Sequence, residues 1–166
     1  MTNGGTDEPR GALSPDFLDF ILTLIEHKVD VVLVGSYALA VHGVVRATGD
    51  IDFLYRCTPT NVRRLCAALR EFGAPENVID ERALLQQDIV TQFGQPPHRI
   101  DLLNAIDGVS FREVWSGAER IDIEGNKVRV IGRAELERNK AATGRRKDLS
   151  DIRALKAKRG SNKRRS

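Results

Sequence analysis

The run Val29-Asp30-Val31-Val32-Leu33-Val34, closed by Gly35-Ser36, constrains this chain most. A nearly continuous β-branched stretch of this length suits a buried strand, and the rest of the chain has to cover it. Gly35-Ser36 ends the strand. Tyr37 to His42 is alanine-rich and predicts a short helix with Gly43 as its C-cap.

Other elements follow from caps, periodicity and turns. Ser14-Pro15 is an N-cap followed by proline, and Phe17, Phe20, Ile21, Leu24 and Ile25 recur at helical spacing, predicting a helix over 15–28. Residues 49–55 read as a second strand. Thr58-Pro59 caps another helix, which ends near Gly73. Residues 80–87 read as helical, 88–93 and 98–103 as a hairpin around Gly94-Gln95-Pro96-Pro97, and 111–115 as a short helix. Strands at 121–123 and 128–131 flank the turn 124–127, and helices at 133–142 and 147–157 are split by Thr143-Gly144. The order of elements predicts a mixed sheet with helices, with no internal linker.

Composition bounds the setting. The chain has 166 residues, enough for one domain, with 41% hydrophobic and 30% charged side chains. No stretch reaches the ~20 apolar residues of a spanning helix, and the start carries no apolar run after a basic segment. Two cysteines, Cys57 and Cys66, make no disulfide scaffold, so a cytoplasmic setting is expected. There are 26 basic and 23 acidic residues. Six of the basic ones and none of the acids fall in 156–166, so the body before them is mildly acidic. Residues 1–13 are expected to be a disordered leader, 14–157 the domain, and 158–166 a basic disordered tail that is either solvated or an arm for phosphates.

The chemistry lies in Gly35-Ser36, Arg46, Asp50-Ile51-Asp52 and Arg99-Ile100-Asp101-Leu102. Residues i and i+2 of a strand share a face, so Asp50 and Asp52 point one way while Ile51 and Phe53 point to the core. Asp101 sits between apolar residues on a later strand. If the two strands are neighbours, three carboxylates converge. Two such charges 4 Å apart repel by roughly 4 kcal/mol at an effective dielectric of 20. A cation or a raised pKa must hold them together. Oxygen-only ligands suit Mg²⁺ or Mn²⁺, which complete their shells with water and phosphate oxygens. Gly35 leaves room for a phosphate, and Ser36 either caps the helix or donates to a phosphate oxygen.

The stretch Val34-Gly35-Ser36 to Asp50-Ile51-Asp52, with a third acid at Asp101, resembles the signature of the nucleotidyltransferase superfamily built on the DNA polymerase β palm. Arg46-x-Thr48-x-Asp50-x-Asp52 is similar to the small prokaryotic branch that includes toxins of toxin–antitoxin and abortive-infection systems. That branch also carries a Lys, an Arg and an Asp in C-terminal helices, matched by Lys140, Arg145, Asp148 and Asp151. The resemblance covers about 30–155. It implies a minimal α+β nucleotidyltransferase fold, a short mixed sheet flanked by helices. It also implies magnesium-dependent transfer of a nucleoside monophosphate from an NTP, ATP among them, to a hydroxyl of an RNA end such as tRNA, a protein or a small molecule. Asp50, Asp52 and Asp101 would be catalytic and hold the metal. Gly35, Ser36, Arg46, Lys140, Arg145 and Asp148 would bind the nucleotide. An antitoxin partner or a homodimer is implied, because the chain has no room for the extra helical domain of longer relatives.

Blander readings stand beside these. Asp148 and Asp151 also suit ion pairs with Arg145, Lys147 or Arg153, and Lys140 suits a helix end. His42 and His98 read as a packed and a turn histidine. A non-catalytic NTP- or RNA-binding module on the same fold is the alternative to an enzyme.

Overall fold

A computed structural model describes residues 13–47 and 49–165, with side chains to 160. Helix α1 spans Pro15–Glu26. Ser14 accepts from the Phe17 N–H at 3.2 Å, and the helix buries Phe17, Phe20, Ile21 and Leu24. Strand β1 is Val31–Val34, and helix α2, Gly35–Val41, follows without a connecting residue. Strand β2 is Asp50–Tyr55. Helix α3, Pro59–Phe72, starts at the Thr58 cap and stops at Gly73, whose φ of 89° is left-handed. A 3-10 turn, Glu76–Val78, and the short helix α4, Glu81–Leu84, lead to β3, Val90–Phe93, and β4, Arg99–Leu103. Helix α5 is Phe111–Gly117, β5 is Glu119–Ile123 and β6 is Asn126–Val130. Helices α6, Arg133–Thr143, and α7, Arg146–Arg165, complete the order.

The strands form one mixed sheet, ordered β3-β4-β2-β1-β6-β5. β1 and β2 are antiparallel, β2 and β4 parallel, and β1 and β6 parallel. The outer pairs β3–β4 and β5–β6 are the antiparallel hairpins that the sequence predicts. The result is an α+β fold with a mixed sheet flanked by helices, as expected. Phe20 of α1 meets Phe53 of β2 at 5.6 Å between ring centroids, and α1 packs on α3. Burying the Phe20, Phe53, Phe72 and Phe93 rings on that face leaves the opposite face of β2, with Asp50 and Asp52, for other work.

Several boundaries move. The strand opening at Val29 begins at Val31, and the helix at 80–87 shrinks to one turn. Helix α7 continues to Arg165, past the end expected at 157, so 158–165 is helical backbone. Lysine and arginine are good helix formers, and their charge is no bar to an exposed helix. Residues 1–12 of the expected leader lie outside the described residues, whereas Leu13 packs against the core. Among the described residues no helix is long and apolar enough to cross a membrane.

Candidate functional site

The sheet brings the acids side by side. In the parallel pair of β2 and β4, Asp52 lies opposite Asp101 and Asp50 lies opposite Arg99. Alternation within each strand puts all four on one face. Asp101 is buried, at 7% exposure, while the side chain of Asp50 is one-third exposed. Burial pushes the Asp52 carboxyl up to about 7, helped by the charge of Asp101, a hydrogen bond with it and the charge of Asp50; Arg99 opposes the rise. The Asp52 carboxyl therefore keeps its proton to near neutrality.

Arg99 accounts for part of the charge balance. Its Nη2 donates to Asp50 Oδ2 at 2.7 Å and its Nε to Asp101 Oδ1 at 3.1 Å. Gln92, opposite Asp101 on β3, donates to Asp101 Oδ2 at 3.3 Å. Arg99 stands beside Asp101 in the sequence analysis without a role, and Gln92 is not named there. Arg99 had a signal, because it sits two residues before Asp101 and so shares its face. Gln92 had none, since its partner depends on hairpin register.

Gly35 makes the junction between β1 and α2 possible. Its φ is +72°, and a Cβ built there would strike Asp52 Oδ2 and lie 2.9 Å from Asp52 Cγ. Any side chain would displace the carboxylate. Val34 gives α2 no side-chain cap. Thr48 lies outside the described residues.

A second group of charges comes from the last two helices. Lys140 is 8% exposed, and its Nζ lies 3.1 Å from Asp148 Oδ1 and 3.0 Å from Asp151 Oδ2. Arg145 Nε donates to Asp148 Oδ2 at 2.7 Å, and the Thr143 hydroxyl donates to the same oxygen at 2.5 Å. Burial works against the Asp148 charge, but the hydrogen bonds from Thr143, Arg145 and Lys140 outweigh it and hold the carboxyl at about 2. Asp151 is fully buried and accepts from Arg46 Nε at 2.9 Å. Asp148 thus pairs with Arg145, as one sequence reading has it. Asp151 reaches Arg46, 105 positions away, which no local pattern reveals. His42 is packed, with Nε2 2.8 Å from the Ile131 carbonyl.

A cavity of about 290 Å³ joins the two groups, with Gly35 and Asp52 on one side and Lys140, Thr143, Arg145 and Asp148 on the other. Of the sequence-derived residues, Gly35, Asp52, Lys140, Arg145 and Asp148 line it; Ser36, Arg46, Asp50 and Asp101 do not. Asp50 and Asp101 adjoin it through Asp52. Another cavity, about 280 Å³, lies between α1 and β6 on a largely apolar floor; its one carboxylate, Asp30, is tied to Arg56 at 2.8 Å.

The donor chemistry, carboxylate oxygen alone, is of the kind a hard divalent cation takes. Burial, then the charges of Asp101 and Asp50, raises Asp52, and a guanidinium already stands as counter-cation between Asp50 and Asp101. The described residues hold no group of three His, Cys, Asp or Glu side chains arranged to hold a metal ion.

Comparison with known proteins agrees with this architecture. Residues 17–158 match the model of a family described as nucleotidyltransferase of unknown function (DUF6036), and the chain belongs to that family. No curated protein matches it.

Proposed function

We propose that this member of the nucleotidyltransferase family transfers a nucleoside monophosphate from an NTP to a hydroxyl acceptor. The observation that carries the reading is the cavity whose one wall holds Asp52, hydrogen-bonded to Asp101, and whose other wall holds Lys140 and Arg145. Carboxylates facing fixed cations across a polar cleft suit a triphosphate and the reaction at its α-phosphorus.

A divalent cation such as Mg²⁺ or Mn²⁺, held by Asp50, Asp52 and Asp101, would supply charge to stabilise the entering and leaving oxygens. The remaining chemistry is the chain's own. Gly35 keeps the β1–α2 junction open to phosphate oxygens. Ser36 donates to them, and Lys140 and Arg145 neutralise the leaving pyrophosphate. Arg46 acts at one remove by holding Asp151 beneath Lys140. The acceptor oxygen bonds to the α-phosphorus, the bond to the β-bridging oxygen breaks, and the hydroxyl proton passes to Asp101. Arg99 must give up Asp50 and Asp101 for a cation to enter.

Magnesium with each NTP should raise the melting temperature, because a ligand at 100 times its Kd adds ~2.7 kcal/mol. Asp52→Asn should abolish pyrophosphate release without lowering that temperature in the unliganded protein. No thermal response to any NTP at millimolar concentration overturns the reading.

Arg99 favours one alternative. Its ion pairs give Asp50 and Asp101 a structural role, as suits a non-catalytic NTP- or RNA-binding module. Pyrophosphate release with Mg²⁺ and mixed acceptors separates the two. The likeness to toxin–antitoxin proteins adds an antitoxin partner or homodimer in the cytoplasm, for which growth arrest on expression is the test.

A further inference from the structure

A second charged cluster lies at the other end of β1 and β2. Arg56 follows β2, and its Nε pairs with Asp30 at 2.8 Å. On the β5–β6 hairpin Arg120 lies directly opposite Arg129. Like charges in that position repel, and neither arginine forms an ion pair among the described residues. Burial, then the charges of Arg120 and Arg56, disfavour the ionised form of Arg129, with Asp30 acting the other way. Aromatic rings hold Arg56 and Arg129 in place. The Arg129 guanidinium lies 3.7 Å from the Trp115 ring centroid. That of Arg56 lies 4.9 Å from Trp115 and 4.7 Å from Phe111. The two rings stack at 5.6 Å and are half-buried.

The cluster shares a sheet face with the acids. Val34 pairs with Asp52, and Arg56 continues the alternation of Asp52 and Leu54. Leu33 pairs with Val130, so Arg129 falls on the face of Val32 and Val34. Arg56 lies four positions after Asp52, ~13 Å along the strand.

We propose that Arg56, Arg120 and Arg129, braced by Trp115 and Phe111, bind the phosphate backbone of a single-stranded nucleic-acid acceptor that runs along this face to the carboxylates. A guanidinium lying on an aromatic ring keeps its in-plane N–H donors free and loses little entropy on meeting a phosphate. A bound phosphate also cancels the Arg120–Arg129 repulsion that the fold otherwise carries. Stacked rings beside repeated cations suit bases and phosphates better than an acidic peptide, which offers charge alone. The acceptor role rests on the transfer reading; the binding does not.

The test is fluorescence anisotropy of a labelled oligouridine with the full chain, over a range of NaCl. Arg120→Ala should weaken binding about tenfold at low salt. It should also flatten the salt dependence by about 0.7 log units per log salt, and leave the melting temperature unchanged or higher. Arg129→Lys, which keeps the charge and loses the planar stack, should weaken binding as well. Wild-type affinity and slope in both variants overturn the proposal, as does a fall in stability with Arg120→Ala, which would make the arginine structural. Equal competition by polyglutamate of the same charge overturns the nucleic-acid assignment. Oligonucleotide binding by a chain that shows no thermal response to Mg²⁺ and NTP would support this surface while sinking the transfer reading.

Discussion

Arg99 spans two acids that a cation would need, so its removal has opposite effects on the two states of the protein. Arg99→Gln takes the opposing charge from Asp52, whose carboxyl should then titrate above about 7. The metal-free protein should melt lower, while the gain in melting temperature on adding Mg²⁺ should grow; a gain equal to wild type would mean that Arg99 and the cation do not compete. Asp52 also sets a pH dependence. Its folded pKa lies above the unfolded value of ~3.9, so its contribution is complete below that value and is lost as pH rises through about 7. With chelator present, wild type should lose stability relative to Asp52→Asn as pH rises from about 4 to about 7. Asp148 has the opposite sign. Its contribution fades only as pH falls from ~3.8 through about 2, outside that window. Gly35→Ala should destabilise by ~1–2 kcal/mol through its left-handed φ alone, before the collision with Asp52 adds to it, as denaturant melts would show.

At the scale of elements, local signals were readable and pairings were not. Ser14-Pro15 and Thr58-Pro59 marked two helix starts because a cap and a fixed proline φ act within three residues. Alternation in Asp50-Ile51-Asp52-Phe53 marked a strand with one polar face, and the acids do share it. That β4 neighbours β2, and β6 neighbours β1, depends on contacts far apart in sequence. The same holds for Asn61, which reads as an ordinary polar residue near a helix start. It is 2% exposed, accepts from the Asp30 N–H at 2.7 Å, and donates to the carbonyls of Asp30 at 3.0 Å and Arg56 at 2.8 Å. It ties the start of β1 to the end of β2. Asn61→Ala strands these buried groups and should cost about 3 kcal/mol in chemical denaturation. An isosteric swap to Asp should fare no better, since a carboxylate cannot donate to two carbonyls.

For the whole molecule, the candidate site is assembled from both halves of the chain. The start of α2 supplies the glycine and strands β2 and β4 the acids; α6, α7 and the turn between them supply the cations and the buried carboxylates beneath them. Helix α7 is anchored by the fully buried Leu155, by Arg133 donating to the Leu155 carbonyl at 3.1 Å, and by Arg46 on Asp151. Asp148→Asn with Asp151→Asn should therefore leave Lys140 buried without a counter-charge. Thermal stability should fall with the loss of those partners, as a calorimetric scan would show. The link from Arg46 to Asp151 has a further consequence during synthesis. A chain emerging from its N-terminus completes the acid-bearing strands well before residue 151 exists. A nascent polypeptide stalled before α7 would display carboxylates with no opposing wall, so the cleft closes only once α7 has been made.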